Sequence, residues 1–286
     1  MSRAYSASRD TRMPDGTLLF VCIVLLCGGL VMLTSASISL AESNTGQPFY
    51  FLQRQMLAVL VGLIGGAVML RIPSDLWESA GVSLVFIAVV LLVIVLLPGL
   101  GRTVNGATRW LSIGGINMQV SEPARLLLLM WLAGYAVRQQ AELLATWWGF
   151  FKPMAVITVI GALLLQQPDF GATTVLLAVT LGVLFVAGGR LKYFIVCCAA
   201  VAAALAALAA YSPYRLERVT GFLDPWADPF DSGFQLTQSL IAIGSGDVLG
   251  LGLGNSVQKL FYLPEAHTDF LFAVIAEEFG LVGSIL

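Results

Sequence analysis

Charged residues are scarce in this chain. Of its 286 positions, 11 % are charged and 58 % are hydrophobic, and the mean hydropathy is +0.88. A soluble domain usually carries about 25 % charged residues. This composition excludes a protein that covers itself with polar surface, so the chain is predicted to be an integral membrane protein.

The sequence also lacks the strict alternation of apolar and polar residues that a membrane β-barrel would show. Backbone polar groups in lipid have to be paired internally, so spans are helices or closed barrels. We predict an all-α, polytopic transmembrane helix bundle with about eight spans, because apolar runs of roughly 20 residues favour helices. The predicted spans are 17–38, 50–70, 80–98, 122–137, 151–167, 170–188, 191–211 and 269–286.

Residues that bind metals or carry redox chemistry are few. The four cysteines, Cys22, Cys27, Cys197 and Cys198, lie in apolar runs without metal-ligand spacing and are interpreted as small buried hydrophobic residues. His267 is the single histidine, which excludes a histidine metal cluster. The net charge is −2 and no long basic tract is present, so nothing indicates a nucleic-acid partner.

Lysine and arginine are distributed unevenly between the two sides of the predicted bundle. The side of the N-terminus has Arg3, Arg9, Arg12, Arg71, Arg138, Lys152, Arg190 and Lys192. The other side, without its long loop 212–268, has Arg54, Arg102, Arg109 and Arg125. Because these residues favour the cytoplasm in short loops, residues 1–16 are predicted to be a cytoplasmic tail. The last predicted span reaches Leu286 without a flanking charge, so further spans are expected.

Three acidic residues stand where predicted helices run inward from the non-cytoplasmic side. They are Glu122 in VSEPAR, Asp169 in QQPDFG and Asp269 in HTDFLF. One interpretation is helix capping, because a carboxylate at a helix start accepts backbone N–H bonds and is favoured by the helix dipole. The other is a polar pocket, since Arg125 lies on the same helix face as Glu122 and Arg109 lies in the preceding loop.

Arginine and helix N-termini both bind anions, and arginine does so with two parallel bonds to a phosphate. A pocket of this kind beside the membrane suits a lipid with a phosphorylated polar head. A transport pathway would also contain charged residues, because charge inside a membrane is costly and usually functional. The residues alone leave both functions open.

Four other features receive structural interpretations. Glu277 and Glu278 lie about 12 Å deeper than Asp269 at 1.5 Å per residue, and at least one is expected to pair with a basic or hydroxyl group. His267 is interpreted as an interface hydrogen bonder more readily than as a catalyst. Residues 230–244 predict an amphipathic interfacial helix. GLGLGN, residues 250–255, is interpreted as a turn, because the strand-loop-helix context of a phosphate loop is absent.

Five segments resemble, in order, the signature segments of the SEDS family (shape, elongation, division and sporulation proteins). They are NGATRWLSIG, VSEPARL, QQPDFGATT, FDSGFQLTQSLIAIGSG and LPEAHTDFLFAVIAEEFGLVG. The resemblance extends from about residue 15 to the end, so 17–286 is predicted to be a SEDS-type transmembrane domain. NSVQKLFYLPEAHTDF is more similar to the cell-division branch than to the elongation branch. The family is expected to have about ten spans, so this chain would lack the last two.

The resemblance implies a peptidoglycan glycosyltransferase that polymerises lipid II at the outer face of the bacterial inner membrane, at the division septum. Loop 212–268 would then be periplasmic. The implied partners are a class B penicillin-binding transpeptidase of the FtsI type and other divisome membrane proteins. The alternatives are a lipid II flippase and a non-catalytic scaffold for the penicillin-binding protein.

The resemblance also implies roles for single residues. Asp269 matches the essential aspartate of the family and is expected to be the base in an inverting transfer. Glu122 matches a family acid, and Arg125 stands where the family has lysine, which keeps the charge but changes its geometry. Asp169 matches the PD motif and is expected to shape the pocket. Arg109 and Arg125 are expected to hold the pyrophosphate, with Glu122 orienting Arg125.

Two further residues, Gln167 and His267, complete the predicted substrate-binding set. A divalent cation, Mg²⁺ or Mn²⁺, is a candidate for sharing the pyrophosphate charge, and no organic cofactor is expected.

Overall fold

The computed structural model describes residues 15–104, 106–113 and 116–286, and this part of the chain contains twelve helices and three strands. The helices are α1 Gly16–Thr45, α2 Tyr50–Arg71, α3 Ser74–Ser79, α4 Gly81–Leu96, α5 Ser121–Arg138, α6 Gln140–Ala145, α7 Trp148–Gln166, α8 Phe170–Val186, α9 Leu191–Ala210, α10 Pro213–Leu223, α11 Phe234–Ser245 and α12 Leu271–Ile285. The strands are β1 Gly101–Val104, β2 Ala107–Ile113 and β3 Ile116–Gln119. Almost all of the predicted tail 1–16 lies outside the described residues.

Each of the eight predicted spans coincides with a helix: α1, α2, α4, α5, α7, α8, α9 and α12. Within the described ranges, α1, α2, α7 and α9 are long and apolar enough to cross a membrane, and α4 and α8 are shorter apolar helices. Helix α5 carries three charged residues, Glu122, Arg125 and Arg138. The prediction of an all-α, multi-pass membrane protein is confirmed.

Contacts divide the chain into two compact units. The central unit is Val68–Pro213, and the terminal unit combines the residues up to Ala67 with Tyr214–Leu286. The assignment of 17–286 to one SEDS-type transmembrane domain, with a periplasmic loop at 212–268, stays a prediction.

The core of the central unit lies between α4, α5, α7 and α8. Its fully buried side chains include Leu92, Leu128, Phe150, Ile157 and Leu184. Burying one such side chain contributes about 1.5–3 kcal/mol in water-exposed parts of a protein. In lipid the contribution comes from close packing instead, because the surrounding medium is equally apolar. This packed layer holds the starts of α5 and α8 at fixed positions.

A small antiparallel sheet occupies the region 99–121, which the sequence suggested was only a connecting loop. The strand order is β1-β2-β3, and Trp110 pairs with Arg102 on one side and Gln119 on the other. Strands β1 and β3 have four residues each, too few for a period of two to stand out. The amide of Val120 donates to the carbonyl of Arg109 at 3.1 Å, so the sheet leads directly into α5.

Helix α1 is longer than the predicted span and continues to Thr45. No proline or glycine interrupts residues 31–45, so nothing stops the helix at residue 38. It ends at Gly46, which has φ of 69° and donates its N–H to the carbonyl of Glu42. Glycine is the residue that adopts this left-handed conformation at little cost.

The terminal unit has its own small core, formed by α1, α11, α12 and the segment between α11 and α12. The buried apolar residues include Met32, Ala36, Ala242, Leu263 and Val274. A helix is confirmed within the predicted segment 230–244 as α11, although it begins at Phe234 and not at residue 230, and its interfacial position stays a prediction. Its buried residues are small, and its large side chains Leu240, Ile241 and Ile243 remain exposed.

Helix α12 is broken at Gly280, where φ is 64° and ψ is −164°. The loop 247–252 pairs with the backbone at this break. The amides of Leu251 and Gly252 donate to the carbonyls of Glu277 and Glu278 at 3.0 and 2.9 Å, and the amide of Leu281 donates to the carbonyl of Asp247 at 2.9 Å. These bonds occupy two amides of GLGLGN, which supports its interpretation as a turn and not as a phosphate loop.

We predict that Gly246→Ala lowers the free energy of unfolding by about 1–3 kcal/mol, the usual cost of overpacking. A Cβ atom at this position would lie 2.0 Å from the carbonyl oxygen of Ala276, so backbone would have to move. Chemical unfolding in detergent micelles, followed by circular dichroism, measures the change.

Gly244→Ala is the matched control, because a Cβ atom there meets nothing within 4 Å. It is expected to be neutral or stabilising by up to about 1 kcal/mol, since alanine is the better helix former. Equal effects of the two substitutions would contradict the close approach of residue 246 to α12.

Candidate active site

The central unit brings several predicted residues together around Asp169. Atom Nη1 of Arg109, on β2, lies 3.8 Å from Oδ2 of Asp169, which is 4 % exposed. Gln119, the last residue of β3, directs Nε2 to Oγ of Ser121 at 3.0 Å and to Oδ2 of Asp169 at 3.4 Å. Gln119 therefore links the beginning of α5 to the beginning of α8, and Arg109 approaches the same carboxylate.

Asp169 interacts with the start of α8 as well as with Arg109. It is the N-cap of the helix, and its Oδ1 accepts the amide hydrogen of Ala172 at 3.0 Å. The sequence offered capping and a polar pocket as separate interpretations of the three acids. At Asp169 capping is confirmed through Oδ1, while Oδ2 faces Arg109 and Gln119, and the polar pocket stays a prediction.

Glu122 and Arg125 form an ion pair within the first turn of α5. The pair is three residues apart and half-exposed, with side chains 55 % and 32 % accessible. Exposed pairs of this kind add little stability, about 0–1 kcal/mol. Their contact nevertheless fixes the direction of the guanidinium, which agrees with an orienting role for Glu122 that stays a prediction.

Gln167 is fully buried and lies at the C-terminal end of α7. Its Nε2 donates to the carbonyl of Leu92 in α4 at 3.1 Å, while Oε1 has no partner among the described residues. The side chain therefore ties α7 to α4. Its predicted contact with substrate stays a prediction.

Arg109 retains an unused donor. Its Nε is buried and has no hydrogen-bond partner within the described part of the chain. A buried unpaired donor costs about 1–3 kcal/mol, and a guanidinium favours an anion as partner. Trp110 has a similarly unpaired Nε1, but adjacent residues of a strand point to opposite faces, so it does not belong to this group.

The described residues do not offer a ready-made metal site. No group of three or more histidine, cysteine, aspartate or glutamate side chains lies close enough among them to hold an ion. Asp169 and Glu122 each face an arginine. These residues do not fit a resident divalent cation, and the predicted Mg²⁺ or Mn²⁺ stays a proposal.

Asp269 and His267 lie in the terminal unit, on a closed turn just before α12. Glu265 has φ of 55°, and its carbonyl accepts the amides of Thr268 and Phe270 at 3.1 and 3.2 Å. Its carboxylate accepts a hydrogen bond from Oγ1 of Thr268 at 2.6 Å. Asp269 is exposed and is not a helix cap, because the N-cap of α12 is Phe270. Its carboxylate has no hydrogen-bond or ion-pair partner within the described part of this unit.

The ring of His267 packs on an aromatic neighbour. Its centroid is 4.6 Å from that of Phe51 in α2. His267 and Thr268 also border a cavity of about 370 Å³ whose other lining residues are mostly apolar side chains of α1, such as Leu26, Leu30 and Leu33. This packing agrees with an interface role for His267, and its contact with substrate stays a prediction.

Sequence reasoning missed Gln119 and Glu265, which position the predicted residues. Gln119 has no distinguishing local pattern, since its partners Ser121 and Asp169 are brought together only by the fold. Glu265 has no reliable local signal either, since its bond to Thr268 and its φ of 55° are visible only in the fold.

We predict that a double-mutant cycle with Arg109→Met and Asp169→Asn gives a coupling free energy of roughly 1 kcal/mol. Asparagine keeps the capping oxygen and removes the charge, so the cycle isolates the ion pair. Unfolding of the four proteins in detergent supplies the four free energies.

The half-exposed pair of α5 is the matched control. The cycle with Arg125→Met and Glu122→Gln should give a coupling below about 0.5 kcal/mol, because solvent screens it. A larger coupling for this pair than for Arg109 and Asp169 would rule out the buried position of Asp169.

Comparison with known proteins identifies the family of this chain. The family of cell cycle proteins comprising FtsW, RodA and SpoVE matches residues 16–286. The probable peptidoglycan glycosyltransferase FtsW of Nitrosococcus halophilus is 51 % identical over 289 residues, covering 100 % of this chain and 74 % of that protein. The protein of the same name from Thioalkalivibrio sulfidiphilus is 56 % identical, covering 91 % of this chain and 65 % of that protein.

Two solved structures are similar across almost the whole chain. One comes from a study of the structural coordination of polymerization and crosslinking by a peptidoglycan synthase complex, with 28 % identity, a TM-score of 0.71, and 95 % of this chain and 73 % of that chain covered. The other is the rod shape determining protein RodA of Thermus thermophilus, with 26 % identity, a TM-score of 0.63, and coverage of 95 % and 69 %. The resemblance noted in the sequence is thereby confirmed, and the chain belongs to the FtsW/RodA/SpoVE family of cell cycle proteins.

Proposed function

We propose that this chain is a peptidoglycan glycosyltransferase that polymerises lipid II. Relatives at about half identity carry that enzyme name, and the chain is a multi-pass membrane protein, which agrees with a lipid-linked substrate. The structural observation that carries the proposal is Asp269, an exposed carboxylate without a partner in its unit, presented on a turn that Glu265 closes. Such a group is available to take a proton from a substrate hydroxyl.

The proposed reaction is a single inverting displacement. The 4-hydroxyl of a lipid-linked glycan attacks C1 of the donor sugar, forming the new C–O bond while the bond from C1 to the pyrophosphate oxygen breaks. Asp269 accepts the hydroxyl proton, and the undecaprenyl pyrophosphate leaves with the electron pair. An α-linked donor thus gives a β-linked glycan.

The leaving pyrophosphate gains negative charge, and positive groups have to stabilise it. We assign this task to Arg109 and Arg125. Arg109 is held by Asp169 through Nη1 and keeps a free Nε donor within the described residues, and Glu122 directs Arg125. A divalent cation would add further positive charge at the pyrophosphate, but no step is assigned to it because no protein ligand set fits it.

The setting is proposed from the sequence and from a structural neighbour. The excess of lysine and arginine on one side supports a cytoplasmic N-terminus, with chemistry on the outer face of the inner membrane at the septum. The neighbouring structure is of a peptidoglycan synthase complex in which polymerization and crosslinking are coordinated. This supports a class B penicillin-binding transpeptidase of the FtsI type as partner, within a set of divisome membrane proteins.

The flippase alternative receives no support from the acids inside α12. A transport path needs polar groups that remain available at membrane depth. Glu277 and Glu278 are both 1 % exposed and are occupied by partners within the terminal unit. The enzyme is therefore the function that the described residues favour.

We predict that Asp269→Asn lowers the rate of lipid II polymerisation by about 10²–10⁴-fold, the contribution of a general base. Purified protein with its penicillin-binding partner, labelled lipid II and gel analysis of the glycan measure the rate. Asp231→Asn, an exposed aspartate in the same long loop, is the control and should keep normal activity. Normal polymerisation by the Asp269 variant would refute the base assignment, and lipid II crossing sealed vesicles without polymer would favour the flippase.

We predict that Arg109→Lys lowers kcat/KM for lipid II by roughly 10-fold, because lysine replaces a planar fork of donors to the leaving pyrophosphate by a point charge. Steady-state polymerisation at varied lipid II gives KM and kcat. Arg102→Lys is the matched control on β1, where the arginine is exposed and contacts Asn117 at 3.4 Å. An unchanged kcat/KM for the Arg109 variant would remove Arg109 from the pyrophosphate site.

A further inference from the structure

Two adjacent acids of α12, Glu277 and Glu278, are the most deeply buried charged groups among the described residues. Each is 1 % exposed. A buried carboxylate persists only when hydrogen bonds or an opposite charge compensate its lost solvation. The sequence predicted pairing with a basic or hydroxyl group, and the structure confirms it for both.

Glu277 binds a turn that precedes the segment of Asp269. Its carboxylate accepts Oγ of Ser256 at 2.5 Å, the amide of Val257 at 3.1 Å and the amide of Gln258 at 3.4 Å. Oγ of Ser256 in turn accepts the amide of Lys259 at 3.3 Å. One carboxylate therefore fixes the backbone direction of residues 256–259.

Glu278 holds the same turn through a side chain. Nζ of Lys259 lies 2.7 Å from Oε1 of Glu278, and both groups contact Oγ of Ser35 on α1, at 3.0 and 3.2 Å. Nζ also donates to the carbonyl of Gly254 at 2.7 Å. All three hydrogens of the ammonium group are thus used, and the turn is attached to α1 as well as to α12.

The chain between this turn and Asp269 is also restrained by hydrogen bonds and by packing. The amide of Leu263 donates to the carbonyl of Gln258 at 2.9 Å. Leu263 and Ala266 are buried in the core of the terminal unit. The turn closed by Glu265 follows at once and presents Asp269. Displacement of residues 256–259 would therefore be passed on to the exposed carboxylate.

We propose that Glu277, Glu278 and Lys259 are positioning residues for glycosyl transfer. Together with Ser256 and Ser35 they form a carboxylate clamp that holds residues 256–270, and with them Asp269, at a fixed place on α12. This inference rests on the proposed function, because it takes Asp269 as the base. None of the three residues needs to contact the reacting atoms.

Stability alone does not account for the clamp. Replacing a buried ion pair by apolar side chains of similar volume is often neutral or stabilising. Apolar contacts, however, have no preferred direction, whereas charge-assisted hydrogen bonds are short and directional. A catalytic group misplaced by about 1 Å costs on the order of 10²-fold in rate. The directional hydrogen bonds of the clamp therefore hold Asp269 in the position that the reaction requires.

The test uses the double variant Lys259→Met/Glu278→Leu in the full chain with its penicillin-binding partner. Removing both partners leaves no unpaired buried charge, so folding is expected to persist. We expect amide hydrogen exchange over residues 260–270 to become at least about 10-fold faster, and exchange in α11 to stay unchanged. The kcat of polymerisation should fall about 10–100-fold while KM stays within about 3-fold, because the pyrophosphate-binding groups are untouched.

The matched control is Lys152→Met/Glu142→Leu, which removes an ion pair of the same chemistry in the central unit, with Nζ 2.7 Å from Oε1. It should change neither exchange over 260–270 nor kcat. Glu277→Gln is the second variant, in case the double variant does not fold. Its amide group would face the donors of residues 256–258, so it should show the same loosening and loss of kcat.

Failure of the clamp and failure of the proposed function give different results. Wild-type exchange over 260–270 in the double variant would overturn the clamp, and faster exchange with wild-type kcat would overturn its role in positioning. A wild-type protein that fails to polymerise lipid II would refute the proposed function instead. The exchange measurement would still decide whether the clamp holds the segment.

Discussion

A buried backbone polar group has to find a partner in the protein, and this constraint organises the terminal unit. Helix α12 is broken at Gly280, which frees carbonyls and amides in the middle of an apolar helix. The loop 247–252 pairs with these groups from 277 to 282. Such pairing needs backbone to approach backbone, which explains why Gly246 and Gly250 stand where a Cβ atom would lie 2.0 and 2.3 Å from carbonyl oxygens of α12. The helix break and the loop therefore stabilise one another.

The carboxylates also have to be partnered, and they differ in how many hydrogen-bond and ion-pair partners they have. Glu277 accepts three hydrogen bonds and Glu278 faces an ammonium group and a hydroxyl, so their oxygens are committed to structure. Asp169 divides its two oxygens between the start of α8 and Arg109. Asp269 has neither a cap nor an ion pair to maintain in its unit. The number of existing partners thus separates groups that hold the fold from one that is free to react.

Much of the helical architecture could be predicted because its signal is local. An apolar run of about 20 residues is enough by itself to predict a membrane-spanning helix. Eight helices therefore coincide with predicted spans. The sheet 101–119 was missed, since two of its strands have four residues and depend on pairing with β2. The site acids were predicted because charge near lipid is costly. The partners of Glu277, about twenty residues earlier in the chain, leave no local trace and required the fold.

The position of these acids along the chain carries a mechanistic consequence. Asp269 is two residues before α12 and Glu277 is within it, so one short segment contains both the proposed base and its support. A base that works on a lipid-anchored acceptor has to remain at the water boundary, where water can also loosen the turn that presents it. Support that is buried, as Glu277 and Glu278 are, is stronger because electrostatic attraction rises as the dielectric constant falls. Because the clamp is buried and the base is exposed, Asp269 is accessible to substrate and is also held in a fixed position.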